Sequence, residues 1–290
     1  MWNSLRFVMQ HPLNAGGRCR ALGRVLSWQI ASRLLQGPLA LPFVDKTRLF
    51  AIRGMTGATG NWYCGLHELS EMAFVLHALR VGDHFLDVGA NIGSYTVLAA
   101  GAAQSRVTAV EPIPQTFAHL QRNIALNGLT ERVCAHQAGL SDHAGTLRFA
   151  ATLDTINHVL VAGENLPGVD VPVRLLDEVV GSDVPTMIKI DVEGYELAVL
   201  RGARKTLRDE RLLAVLMETN GSGMRYGVSD DILLADMSEN GFRPFHYDPF
   251  ARRLVTRAGG GDNTLFVREP TAIAERVQSA PRFTLVNGSI

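Results

Sequence analysis

Asp87 and Glu111 are acids twenty-four residues apart, and each closes an apolar run that reads as a β-strand, HFLDV over 84–88 and RVTAVE over 106–111. Between them lies Gly89-Ala90-Asn91-Ile92-Gly93. Gly89 lets the chain turn sharply after the strand, Asn91 tolerates a left-handed backbone, and Gly93 lets a ligand or the following helix approach. A carboxylate at the end of the second strand of a βαβ unit accepts hydrogen bonds from ribose hydroxyls, so the pair describes an adenosine site. Two cofactors compete for it. A dinucleotide needs G-x-G-x-x-G to bring backbone amides to its pyrophosphate; this chain has G-x-x-x-G, and Asp87 would repel that group. S-adenosylmethionine has no phosphate and carries a sulfonium and an ammonium, which carboxylates favour. The two-acid spacing therefore selects S-adenosylmethionine.

These residues need a sheet to hold them. Strands are expected at 47–52, 84–88, 106–111, 133–137, 186–191, 212–218, 242–247 and 264–267, with a small extra one at 146–149. Helices are expected at 18–36, 68–79, 94–103, 114–127, 195–207 and 230–239. Strands alternating with helices imply right-handed crossovers and a mostly parallel sheet with helices on both faces. Two closing strands without a helix between them imply an antiparallel finish. Residues 54–66 (GMTGATGNWYCGL) are dense in glycine and read as a loop, not a packed element. Ligands of open α/β sheets bind beyond the carboxyl ends of the strands. Four of the five ends to inspect are acidic: Asp87, Glu111, Asp191 and Glu218, with Gln137 the fifth.

The composition is that of a folded chain: 290 residues, 47% apolar, 19% charged, with 28 basic and 28 acidic side chains. Disorder is excluded, since disordered chains need low hydrophobicity and high net charge. No window of about 18 residues is free of charges and turn-formers, so no spanning helix is expected. Three widely spaced cysteines form no pairing pattern, which points to a reducing, cytoplasmic compartment. The neutral total argues against nucleic acid as the main partner. Residues 1–44, however, carry five arginines and no acid. Within 18–36, Leu22, Val25, Leu26, Ile30, Leu34 and Leu35 recur at helical spacing. Such a helix packs on the body with its arginines in water, or lies on the anionic inner face of a membrane as a peripheral contact. A cleaved organellar presequence would share the composition; a secretory signal lacks its apolar core. The expected organisation is an N-terminal basic extension over 1–65, a cofactor-binding domain over 66–270 and a tail over 271–290.

The ordered series DVGANIG, VEP, LSDHAGTL, IKIDVEGYELAVLRGA and NTLFV resembles the FkbM-type family of S-adenosylmethionine-dependent methyltransferases over roughly 66–268. The resemblance is most specific at IKIDVEGYE. It implies the class I methyltransferase (Rossmann-like) fold, with a seven-stranded sheet whose last strand is antiparallel, and usually O-methylation of a hydroxyl. By position it places Asp87, Gly89 and Gly93 at the methionine end of the cofactor and Glu111 at the ribose. Asn91 replaces the middle glycine of the general class I loop, as in the FkbM-like version. Asp142 becomes a candidate for the adenine amino group; it reads equally well as a turn acid beside His143 and Gly145. A sugar, glycan or related metabolite as acceptor, and so a role in glycan biosynthesis, is likewise an implication of the resemblance.

Methyl transfer from a sulfonium is an in-line displacement, so the protein must align the acceptor oxygen and remove a proton. Asp191 is the first candidate for base or orienting group; a capping acid for the helix starting at Tyr195 is the alternative. Glu193 is the next candidate. Lys189 lies on the same face of its strand as Asp191 and pairs with it on this reading. His158, in the irregular stretch 151–170, and His67, beside the glycine-rich loop, are further candidates, whereas His246 reads as structural. Asp191, Glu218 and Asn220 offer hard oxygen ligands that would suit Mg²⁺, though no compact ligand motif favours a metal. Two readings of other classes stand beside the methyltransferase: a non-catalytic nucleotide-fold binding module, and an NAD-dependent oxidoreductase, disfavoured by the missing third glycine and by Asp87.

Overall fold

All five side chains of His84–Val88 are buried, as befits a strand in the interior of a parallel sheet covered on both faces. In the computed structural model, which describes residues 2–35, 37–151, 157–161, 163–257 and 261–290, this strand is β1 of the main sheet. The others are β2 (Arg106–Val110), β3 (Val133–His136), β4 (Met187–Ile190), β5 (Ala214–Thr219), β6 (Arg243–Asp248), β7 (Arg253–Thr256) and β8 (Gly261–Val267). Their order is β7-β6-β8-β5-β4-β1-β2-β3. Strands β3, β2, β1, β4 and β5 are parallel. β8 then runs antiparallel to β5, β6 to β8, and β7 to β6. The chain builds outward from β1 to β3, then returns to place β4 on the other side of β1. That reversal opens a crevice at the carboxyl ends of β1 and β4.

Alternation along β1 divides the core. Phe85 joins Phe74, Leu76, Leu98 and Leu120 on one face; Leu86 and Val88 join Ile188, Ile190, Leu200 and Phe266 on the other. Trp28 and Phe43 from the N-terminal part, and Ile273, Phe283 and Ile290 from the C-terminal part, belong to the first of these cores.

Among the described residues the sheet has eight strands, not seven. The additional strand, β7, forms a hairpin with β6 because Asp248 Oδ1 accepts the amides of Phe250 (3.1 Å) and Ala251 (3.0 Å) and turns the chain back. A separate three-stranded sheet, of Gly139–Leu140, Gly145–Ala150 and Gly168–Arg174, includes the small strand expected at 146–149.

Two expected elements are corrected. The stretch read as a loop contains a helix, Thr56–Cys64. Tertiary contacts override its glycine content: His67 packs on Gly60, where a Cβ would stand 2.4 Å from the ring. Asn61 donates to the Gly57 carbonyl (3.0 Å) and accepts the His67 amide (2.8 Å). The helix expected over 195–207 runs only over Glu196–Arg201. Gly202 then lies against the Ser141 carbonyl, which leaves no room for a Cβ, and Asp177 draws the Lys205 and Thr206 amides out of helical pairing (both 2.9 Å).

Candidate active site

A cleft of about 270 Å³ opens at the ends of β1 and β4. Its floor is the turn after β1. Asn91 takes a left-handed backbone, φ 51°, as the sequence anticipates, and its Oδ1 accepts the Ile92 amide at 2.7 Å. The amide of Asn91 donates to Glu111 Oε2, and that of Ile113 to Glu111 Oε1, each at 2.9 Å. Glu111 is thereby fixed on both oxygens while still lining the cleft. Burial pushes its carboxyl up to about 7, against the pull of the two amides.

Gly89, φ 76°, lines the same floor, and a Cβ there would lie 1.8 Å from the Asp191 carbonyl oxygen. Gly93, φ 91°, lets Leu120 approach, with a would-be Cβ 2.6 Å from its Cδ1; it serves helix packing. Asp87 is 1% exposed and sits behind the cleft, not on its lining. Its Oδ2 accepts the Thr96 hydroxyl at 2.6 Å, and its Oδ1 is buried with no hydrogen-bond partner among the described residues. Burial raises this carboxyl, with Lys189 opposing.

The far wall is acidic. Asp191, Glu193 and Glu218 all line the cleft, with carboxylate oxygens within 4.8 Å of one another. Lys189 Nζ donates to Asp191 Oδ2 at 2.7 Å, so the pairing expected from strand spacing is present. Although burial works against the ammonium, Asp191, Asp87 and Glu68 outweigh it and raise its pKa. The same nitrogen lies 4.8 Å from the centre of the Tyr95 ring, whose hydroxyl donates to Glu68 Oε2 at 2.6 Å. Burial, then Asp191 and Glu196, push Glu193 up to about 7. Burial, then Asp191 and Glu193, push Glu218 up to about 9. Asn220 donates to Glu218 Oε1 at 2.7 Å and does not line the cleft, while Glu218 Oε2 is buried without a hydrogen-bond partner among the described residues. Glu196 accepts the Gly194 (3.1 Å) and Val192 (3.2 Å) amides and shapes the turn that carries Glu193 at φ 56°.

Asp142 and His158 also stand apart from this group. Asp142 pairs with His143 at 2.7 Å on the surface and does not line the cleft. His158 is buried, with Nε2 3.3 Å from both Glu164 oxygens, and its neighbour Asn157 lines the cleft instead. Beside His158, Tyr226 donates to the Val159 carbonyl at 2.6 Å, and Arg225 lies 3.7 Å from Glu164. His67 does line the cleft. Glu68 and Tyr95 are the residues sequence reasoning missed. Their contact spans twenty-seven residues and two helices, so no local pattern announces it.

Among known proteins, "Methyltransferase 1" of Beauveria bassiana (strain ARSEF 2860) is 34% identical over 147 residues, 41% of this chain and 58% of that one. The hexuronic acid methyltransferase AglP of Haloferax volcanii is 29% identical over 152 residues, 51% of this chain and 61% of that one. The chain thus spans about three fifths of the length of these relatives. A ribosomal protein L11 methylase of Lactobacillus delbrueckii subsp. bulgaricus is similar in structure at a TM-score of 0.42 and 14% identity, over 71% of this chain and 80% of that one. Residues 87–244, from the acid of β1 into β6 and so across both walls of the cleft, match the methyltransferase FkbM domain, and the chain belongs to the FkbM methyltransferase family.

Proposed function

We propose that this protein is an S-adenosylmethionine-dependent O-methyltransferase acting on a hydroxyl of a sugar, glycan or related metabolite. One observation carries the reading. A carboxylate fixed by two backbone amides, Glu111, shares one cleft with the three-carboxylate wall of Asp191, Glu193 and Glu218. The residues present fit the cofactor: the cleft floor is built from the small residues Gly89 and Ala90, and a cleft lined by acids favours a cation. Glu111 would take the ribose hydroxyls, the backbone from Gly89 to Asn91 would hold the methionine portion, and Glu68 would face its ammonium. When bound, S-adenosylmethionine supplies an electrophilic methyl group.

The chain's own residues supply alignment and a proton acceptor. Asp191 is held by Lys189, so it orients the acceptor hydroxyl. Glu193, pushed up to about 7, has the basicity to take the hydroxyl proton on its carboxylate near neutral pH. A wall of carboxylates suits an acceptor rich in hydroxyl donors, and the hexuronic acid named for AglP points the same way. No Asn-Pro-Pro-aromatic clamp for planar amines stands at 191–194, where the chain reads Asp-Val-Glu-Gly.

Calorimetric titration with S-adenosylmethionine and S-adenosylhomocysteine tests the cofactor; transfer of labelled methyl to uronic acid and neutral sugar acceptors tests the reaction. Micromolar binding, lost in Glu111→Ala, is expected. Absence of binding by the folded wild type, or methyl transfer to amines and not to hydroxyls, overturns the reading.

A further inference from the structure

The helix Arg18–Leu34 has two dissimilar sides. Its inner side is anchored. Ala21 and Trp28 are buried, and Trp28 belongs to the main core. Arg24, the one arginine of this helix turned inward, donates to Asn14 Oδ1 (2.8 Å) and to the Tyr63 carbonyl (2.7 Å). Trp62 Nε1 donates to the Arg24 carbonyl at 3.2 Å. The helix is therefore a fixed part of the body.

Its outer side is apolar where water should be. Leu22, Leu26, Ile30 and Leu34 are 37%, 53%, 59% and 76% exposed. Each is four positions from the next, so they form one ridge along the helix. Arg18, Arg20 and Arg33 are exposed on the same helix, and residues 1–44 contain no aspartate or glutamate to pair with them.

We infer that this ridge, with its arginines, is a docking surface for an anionic lipid bilayer. The helix would lie in the plane of the interface, with the leucines and isoleucine at the acyl boundary and the guanidinium groups among lipid phosphates. No helix of the described residues is long and apolar enough to cross a membrane, so the contact is peripheral. Charge selects lipid over a second copy of the chain: apposing two such faces would set arginine against arginine with no acid on the helix to relieve it. The helix packs on Thr56–Cys64, whose Thr56, Gly57 and Asn61 line the cleft. The bound bilayer is thus one helix away from the cleft wall. The inference does not depend on the reaction proposed above.

Sedimentation of the full chain with vesicles tests it, using phosphatidylcholine alone and phosphatidylcholine with about 30 mol% phosphatidylglycerol. The protein is expected to bind the anionic vesicles and to be released by salt. Leu26→Gln/Ile30→Gln and Arg18→Gln/Arg20→Gln/Arg33→Gln each lower the partition coefficient about tenfold or more. Because these side chains are exposed, both variants keep the wild-type melting temperature and cofactor affinity. Failure of the folded wild type to bind anionic vesicles overturns the inference. So does undiminished binding by the Leu26→Gln/Ile30→Gln variant, or a concentration-dependent dimer that this variant abolishes.

Discussion

The carbonyl oxygen of Asp191 occupies the space in which Gly89 would carry a Cβ, 1.8 Å from that position. The Asp191 amide in turn donates to the Val88 carbonyl at 3.1 Å. The glycine turn after β1 and the acidic end of β4 are thus one interlocked unit, and a change at either moves the other.

Gly89→Ala combines a left-handed φ of 76° with a clash against backbone. We expect a loss on the order of 4 kcal/mol in urea unfolding, with cofactor binding lost as well. Gly82→Ala is the control. It has a similar φ of 84° but nothing within 4 Å of the added carbon, and should cost only about 1 kcal/mol. Equal losses in the two variants would show that the approach of Asp191 is unimportant.

Lys189→Met removes the cation that Asp87 and Asp191 share. Asp87 and Lys189 are register partners across β1 and β4, and both are buried. Lys189 is ion-paired with Asp191, which opens on the cleft, so removing it should cost less than the about 3–5 kcal/mol of a fully buried pair, about 2 kcal/mol. Unfolding monitored by circular dichroism should show a loss of that size; a variant within about 0.5 kcal/mol of wild type would remove Lys189 from any structural role.

Glu193 as proton acceptor predicts a pH profile. Its carboxyl is held near 7, so kcat/KM should rise with unit slope below that pH and level off above it. Glu193→Gln should lower kcat by about 10²–10⁴-fold and flatten the profile while changing acceptor KM little. An unchanged profile would move the proton to another carboxylate of the wall.

Glu218 binds its proton more tightly in the folded chain, with a pKa pushed from 4.5 up to about 9. Its contribution to stability is therefore fully present below pH 4.5 and is lost as pH rises towards 9. Glu218→Gln should match wild type in the acid range and exceed it above, by a margin that widens as pH rises towards 9. Denaturation series at several pH values read this directly; a gap that stays constant with pH would contradict it.

The acidic wall also bears on metal. Lys189 and the proton retained on Glu218 offset its charge, so methyl transfer should survive EDTA and gain nothing from Mg²⁺. Loss of rate in EDTA with recovery on adding Mg²⁺ would instead make Asp191, Glu193 and Glu218 a cation site.

What could be read in advance follows from the range of the forces concerned. Apolar runs marked β1, β2, β4 and β5, because burying both faces of a parallel strand leaves a nearly uninterrupted apolar signature in it. The left-handed turn at Asn91 and the pairing of Lys189 with Asp191 were legible for the same reason: neighbouring residues determine both. The helix at Thr56–Cys64 was hidden because its glycines report local preference, whereas His67, packed on Gly60 and donating its amide to Asn61, holds it from beyond its end.

The site divides along the same line. Sequence alone determined that acids stand at the ends of β1, β2, β4 and β5 and that a glycine turn follows the first, since strand ends and turns are properties of short segments. Only the tertiary structure decided that Glu111 is locked by two amides, that Asp87 lies behind the cleft beside Lys189, and that Glu68 reaches Tyr95. Each of these is a choice of partner across the fold, made by burial and charge where packed elements meet, and a linear pattern carries no record of that meeting.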